Sequence, residues 1–157
     1  MKISRIAQLM LIILTVTLSG CNQSGEEQES RLSLVKTTNP NPVKLTSKQD
    51  ENIAVRVKQD VQKFDEIFDV AVVQGKKNTL VVYKVKHLQR FRMKQIEKNV
   101  TKELEKKYPD ESFTVSSDYK IFMEALQLKE QIKDPEFSKA KAEKSLEKII
   151  KLKNEQT

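Results

Sequence analysis

Tryptophan is absent from this 157-residue chain, and cysteine, histidine and glycine are scarce, at one, one and three residues. A single cysteine can form no internal disulfide, so stability has to come from packing. With Cys21 and His87 standing alone, the usual zinc ligand sets, a Cys-His pair and a histidine-based triad are out of reach. No metal and no other cofactor is expected. Gly20, Gly25 and Gly75 do not form a glycine-rich phosphate cradle. A long hydrophobic run is also missing: Ile6 to Leu18 covers 13 residues, short of the ~20 that a helix needs to cross a bilayer.

That short run has a recognisable setting. Lys2 and Arg5 precede it, and Leu18-Ser19-Gly20-Cys21 closes it, giving the positive, apolar, small order of an export signal. An anchor helix or an ordinary signal peptide is the plain alternative. A secreted protein with an ordinary cleavage site, however, has no reason to put its single cysteine at the cut. The Leu-Ser-Gly-Cys ending resembles the lipobox of bacterial lipoproteins. The resemblance implies that residues 1–20 are removed, that the Cys21 thiol carries a diacylglyceryl group with further acylation of the palmitate type, and that the protein is held on the outer face of the cell membrane. Each buried methylene contributes ~0.8 kcal/mol, and two chains suffice for stable anchoring where one is marginal. Residues 21–157 then retain 27 basic and 22 acidic residues.

Residues 21–45 read as the lipidated cysteine followed by a flexible tether, polar and interrupted by Pro40 and Pro42. A short edge strand at Leu32, Leu34 and Val35 is the alternative. From Thr46 onward a helical face appears in Ile53, Val57, Val61, Phe64 and Phe68, with Thr46/Gln49 or Ser47/Asp50 as the starting cap. Asp69 to Gln74 and Thr79 to Val85 predict a hairpin around Gly75-Lys76-Lys77-Asn78, with positive φ expected at Gly75 and Asn78. In the second strand one face is expected to be buried and the other partly so.

A helix is predicted from Gln89 to Lys107, ended by Pro109, then a strand from Glu111 to Ser116. Ser117 or Asp118 caps a further helix bearing Ile121, Phe122, Ala125, Leu128 and Ile132. Asp134 as cap and Pro135 at the first helical position start a last helix, to about Leu152, carrying Phe137, Leu146, Ile149 and Ile150. The expected fold is α+β: a small three-stranded sheet with helices packed on one face, a helix-strand-strand-helix-strand core over residues 46–132, and a lysine-rich C-terminal helix over 133–157 that either docks or extends to a partner.

The paired strands Val70-Ala71-Val72-Val73 and Leu80-Val81-Val82-Tyr83, the ending Phe113-Thr114-Val115-Ser116-Ser117-Asp118-Tyr119 and the lipobox at Cys21 together resemble the YhcN/YlaJ-type sporulation lipoproteins of endospore-forming bacteria. The resemblance covers about residues 46–132. It implies attachment to a spore membrane, other spore envelope proteins as partners, and a non-catalytic contribution to spore germination or outgrowth.

The residues themselves offer little chemistry. Asp65/Glu66 and Asp110/Glu111 are paired carboxylates in polar surroundings, without the burial that acid catalysis needs; no enzymatic activity is expected. Charge, in contrast, is uneven. From Lys76 to Lys107 eleven basic residues face three acidic ones. Lys86, Arg90, Arg92 and Lys94 surround Phe91, with Lys98 one turn further. Basic residues mixed with an aromatic suit nucleic acid, but export removes that partner. Anionic lipid headgroups or anionic wall polymers are the expected partners, at ~1 kcal/mol per basic residue near a charged surface. A general cell-envelope lipoprotein with such a basic face is the alternative to the spore protein. The plainest reading of the lysines is the solvated face of a helix.

Overall fold

Two runs without polar alternation, Val70-Ala71-Val72-Val73 and Leu80-Val81-Val82-Tyr83, form the centre of the fold in a computed structural model of the protein, which describes residues 38–45 and 53–155. They lie in β2 (Ile67–Gln74) and β3 (Thr79–Val85), which pair antiparallel. A two-residue strand β1 (Val43–Lys44) adds parallel to β2. Strand β4 (Phe113–Ser116) adds parallel to β3. The sheet therefore has four strands in the order β1-β2-β3-β4. Helix α1 (Ile53–Val61) lies in the chain between β1 and β2. A 3-10 helix (His87–Arg92) and α2 (Met93–Lys107) lead from β3 to β4, and α3 (Tyr119–Gln131) and α4 (Lys139–Glu155) complete the chain.

The α+β class agrees with expectation, while the sheet and its layering differ. The expected three strands become four, and both faces of the sheet are covered. On one face Val70, Val72, Val81 and Tyr83 pack against Val57 and Val61 of α1 and Ile96, Val100 and Leu104 of α2. On the other, Ala71, Val73, Leu80 and Val82 pack against Ile121, Phe122 and Leu128 of α3 and Ala142, Leu146 and Ile149 of α4. All seven residues of β3 are buried. A strand buried on both sides has no solvent face to encode, which is why the runs are continuously apolar. The C-terminal helix docks: its Ala142, Leu146 and Ile149 recur at helical spacing and all three are buried.

Several local expectations are corrected for physical reasons. Neither Gly75 nor Asn78 has positive φ; among the described residues Asn39 does, at +40°. A Cβ on Gly75 would stand 2.5 Å from Leu146 Cδ2 and 3.1 Å from Asn78 O, so the glycine is needed for the close approach of α4 and not for a left-handed turn. The last helix starts at Lys139, not at Pro135. Asp134 instead closes a turn, accepting from Glu136 N–H at 2.9 Å, and Ser138 Oγ accepts from Lys141 N–H at 3.3 Å. Asp118 caps α3 as expected, accepting from Ile121 N–H. The starting caps proposed at 46–50 and the edge strand at 32–35 lie outside the described residues.

The end of the expected tether belongs to the domain. Leu45 is buried, its N–H bonds Gln74 O at 2.8 Å, and Val43–Lys44 form β1. Residues 43–45 thus extend the sheet, giving the parallel edge of β2 partners for its backbone groups.

Candidate functional site

Chain geometry gives the segment after β3 three distinct edges. Lys86 N–H donates to Glu66 O, and Gln89 N–H to Lys86 O, each at 2.8 Å, which starts the 3-10 helix at His87. With three residues per turn, side chains three apart eclipse: His87 lies over Arg90, Leu88 over Phe91, and Gln89 over Arg92. The Gln89/Arg92 edge is fastened to the domain, since the Arg92 guanidinium donates to Gln89 Oε1 at 3.3 Å and stands 3.9 Å from Glu66. Leu88 and Phe91 remain 80% and 84% exposed.

Helix α2 continues the charge. Lys94, Lys98 and Lys102 are four residues apart and share a helix face. With Arg90, Phe91 and Met93 they line an open groove of about 980 Å³ that reaches across to Ser116, Ser117 and Lys153. The groove holds five basic side chains, Arg90, Lys94, Lys98, Lys102 and Lys153, against the carboxylates Glu97, Glu105 and Asp118. Glu97 is already engaged, accepting from Ser117 N–H at 3.2 Å and lying 3.6 Å from Lys153. Among the described residues no carboxylate forms an ion pair with Arg90, Lys94 or Lys98.

Of the residues expected to bind an anionic surface, Arg90, Lys94 and Lys98 come together in the groove. Arg92 belongs to the edge that holds the 3-10 helix down, and Lys86 is exposed at the end of β3. Leu88, Lys102 and Lys153 complete the arrangement without having been singled out. The Leu-x-x-Phe spacing was the available signal for Leu88, and Lys153 arrives only through the docking of α4. Cys21 lies outside the described residues.

The carboxylates that carry perturbed acidities are structural. Asp69, 1% exposed, sits beyond a bulge that shifts the β2–β3 register between Ile67 and Asp69. It forms an ion pair with Lys84 at 2.9 Å and accepts from Thr38 N–H, Thr38 O–H and Asn39 N–H at 2.8, 2.9 and 3.0 Å. Burial works to raise its pKa, but these donors prevail and lower it. Three of the four donors converge on Oδ2 and one reaches Oδ1, so the carboxylate is tied as an acceptor to the strand and to residues 38 and 39. Lys58 holds the same strap, donating to Asn39 Oδ1 and Pro40 O at 2.7 Å each.

Asp60 has a similar role between α1 and α2. It accepts from Tyr108 O–H at 2.6 Å, with Lys107 at 2.6 Å and Lys63 at 2.9 Å. Burial opposes its ionisation, yet those partners hold it down to about 2. Burial and the Asp60 carboxylate push the Tyr108 hydroxyl up to about 12. Asp65 and Asp110 are exposed and Glu66 and Glu111 half-buried, in open surroundings as expected. Among the described residues no three His, Cys, Asp or Glu side chains gather as metal ligands, and no described helix is long and apolar enough to cross a membrane.

Compared with family models, with curated proteins and with solved structures, the chain has no match. The site is defined by its own geometry, an open groove whose five basic side chains outnumber its three carboxylates.

Proposed function

We propose that this protein is a non-catalytic, lipid-anchored lipoprotein of the cell envelope whose domain docks on an anionic surface, lipid or wall polymer, through Arg90, Lys94 and Lys98. The observation that carries the reading is the cluster of these three cations without a carboxylate partner among the described residues, beside a 3-10 helix fastened to the domain by Arg92. Diacylglyceryl-Cys21 supplies the membrane attachment. The likeness to sporulation lipoproteins favours a spore membrane and a role in germination or outgrowth, with other spore envelope proteins as further partners.

Both apolar clusters are built from residues 43–152, so a soluble form starting at Asn22 retains the whole described core. Changing Arg90, Lys94 and Lys98 together to Gln in that form should weaken its salt-sensitive binding to anionic vesicles by about a hundredfold, at ~1 kcal/mol per basic residue. Unchanged binding removes the docking surface. Imaging a reporter fusion through sporulation tests the spore assignment, and equal signal in vegetative cells counts against it.

A further inference from the structure

We infer that Leu88 and Phe91 form an apolar wedge that enters the interface of an anionic lipid bilayer when the basic groove docks; the inference rests on that docking and chooses lipid over polymer as the surface. Neither side chain belongs to the two core clusters or to the residues packed against them. Both are large, apolar and at least 80% exposed, and the 3-10 repeat sets them on one edge. Their outward position is fixed from below. Lys86 N–H is bonded to Glu66 O, Gln89 N–H to Lys86 O, and Arg92 to Gln89. The two apolar side chains are thus presented by a braced turn rather than by a loop that folds them back.

The charge around the pair is of one sign. From Lys86 to Ile96 the chain contains Lys86, Arg90, Arg92 and Lys94 and no acidic residue. Phe91 shares the groove rim with Arg90 and Lys94. Cations flanking Phe and Leu suit a bilayer interface, where headgroup phosphates take the charge and the acyl boundary takes the apolar tips. A hydrated wall polymer satisfies the cations alone. It leaves both apolar side chains in water, so the combination of groups points to lipid.

The absence of tryptophan gives a clean measurement in the full-length, lipid-modified protein reconstituted into vesicles. Phe91→Trp keeps an aromatic at the wedge and makes it the single indole; Lys139→Trp, at the exposed start of α4, is the control. In vesicles of phosphatidylcholine with phosphatidylglycerol, emission at position 91 should shift to the blue and be quenched by a lipid-borne quencher. In phosphatidylcholine alone it should not, and position 139 should change in neither. Adding Leu88→Ser to Phe91→Trp should reduce the quenching at least about tenfold in apparent lipid affinity, since a buried leucine contributes more than one decade. An indole at 91 as wet as that at 139 in the anionic vesicles, with Arg90, Lys94 and Lys98 still governing vesicle binding of the soluble form, overturns the wedge and leaves the charged docking standing. Full quenching that survives neutralising those three residues shows that the apolar pair enters lipid without the groove and overturns the docking surface on which the inference rests. Shielding of position 91 that appears only on adding a soluble polyanion or an acidic protein overturns lipid as the occupant.

Discussion

Two charged regions of this molecule use the same residue types to opposite ends. At Asp69 a buried carboxylate and a buried lysine form an ion pair, and the acid also accepts from Thr38 and Asn39, so that it has four donors. Arg90 of the 3-10 helix and Lys94 and Lys98 of α2 are exposed and lack acidic partners among the described residues. Buried charge has to be compensated internally, because an unpaired ion in a low dielectric is costly; exposed charge can stay uncompensated at little cost. The difference separates structure from function here. The compensated site fastens residues 38 and 39 to the sheet, whereas the uncompensated one keeps its charge for an external anion.

Breaking the buried site should give the largest effect. Asp69→Ala leaves Lys84 buried without its counter-ion and orphans the Thr38 and Asn39 N–H groups. A loss of ~3–5 kcal/mol is expected for a broken buried pair, measurable as a lower urea midpoint. Combining it with Lys84→Met should restore part of the loss, as the stranded cation is gone, but not all of it, because the two N–H groups remain unpaired. A double variant as stable as the parent would show that the strap contributes nothing.

Acid should act next, and through both structural carboxylates. Asp60 and Asp69 have folded-state pKa values below their unfolded ones. Their stabilisation is therefore complete above the unfolded-state value of about 4 and is lost as pH falls through the folded-state value, which for Asp60 is about 2. Thermal midpoints should be flat at neutral pH and fall below about pH 4. Asp60→Asn should lower the neutral-pH midpoint and flatten the acid slope. Tyr108 makes the opposite contribution: its raised pKa gives stability that is full below about pH 10 and disappears as pH rises towards 12.

The two regions also differ in how far they could be read from the chain. The central hairpin was legible because eight- and seven-residue strands leave a long β-branched record. Two-sided burial was written in the same runs, in the lack of polar alternation, though the number of helices suggested a single covered face. Strand β1 has two residues, too few for any period, and the Asp69 site joins residues 31 apart in sequence by a bulge that no local pattern announces. Gly75 signals a turn, yet its reason lies in Leu146. Ala142 was passed over among lysines because a small residue is a weak hydrophobic mark. The basic groove was partly legible: Arg90, Lys94 and Lys98 were visible as a cluster, whereas the 3-10 geometry that turns Leu88 and Phe91 outward while Arg92 holds the turn down could not be told from the start of an ordinary helix.

The smallest expected effect is the most discriminating. Changing Arg90, Lys94 and Lys98 together to Gln should alter stability by no more than ~0.5 kcal/mol, read from the urea midpoint, because all three are exposed and have no ion partner among the described residues to lose. The same variant is the one expected to lose vesicle binding. Stability unchanged and binding lost would mean that these cations are kept for something outside the molecule. If instead stability fell by as much as at Asp69, the contrast between the two regions would fail. The braced 3-10 turn would then be one more part of the scaffold, with its charges serving the fold.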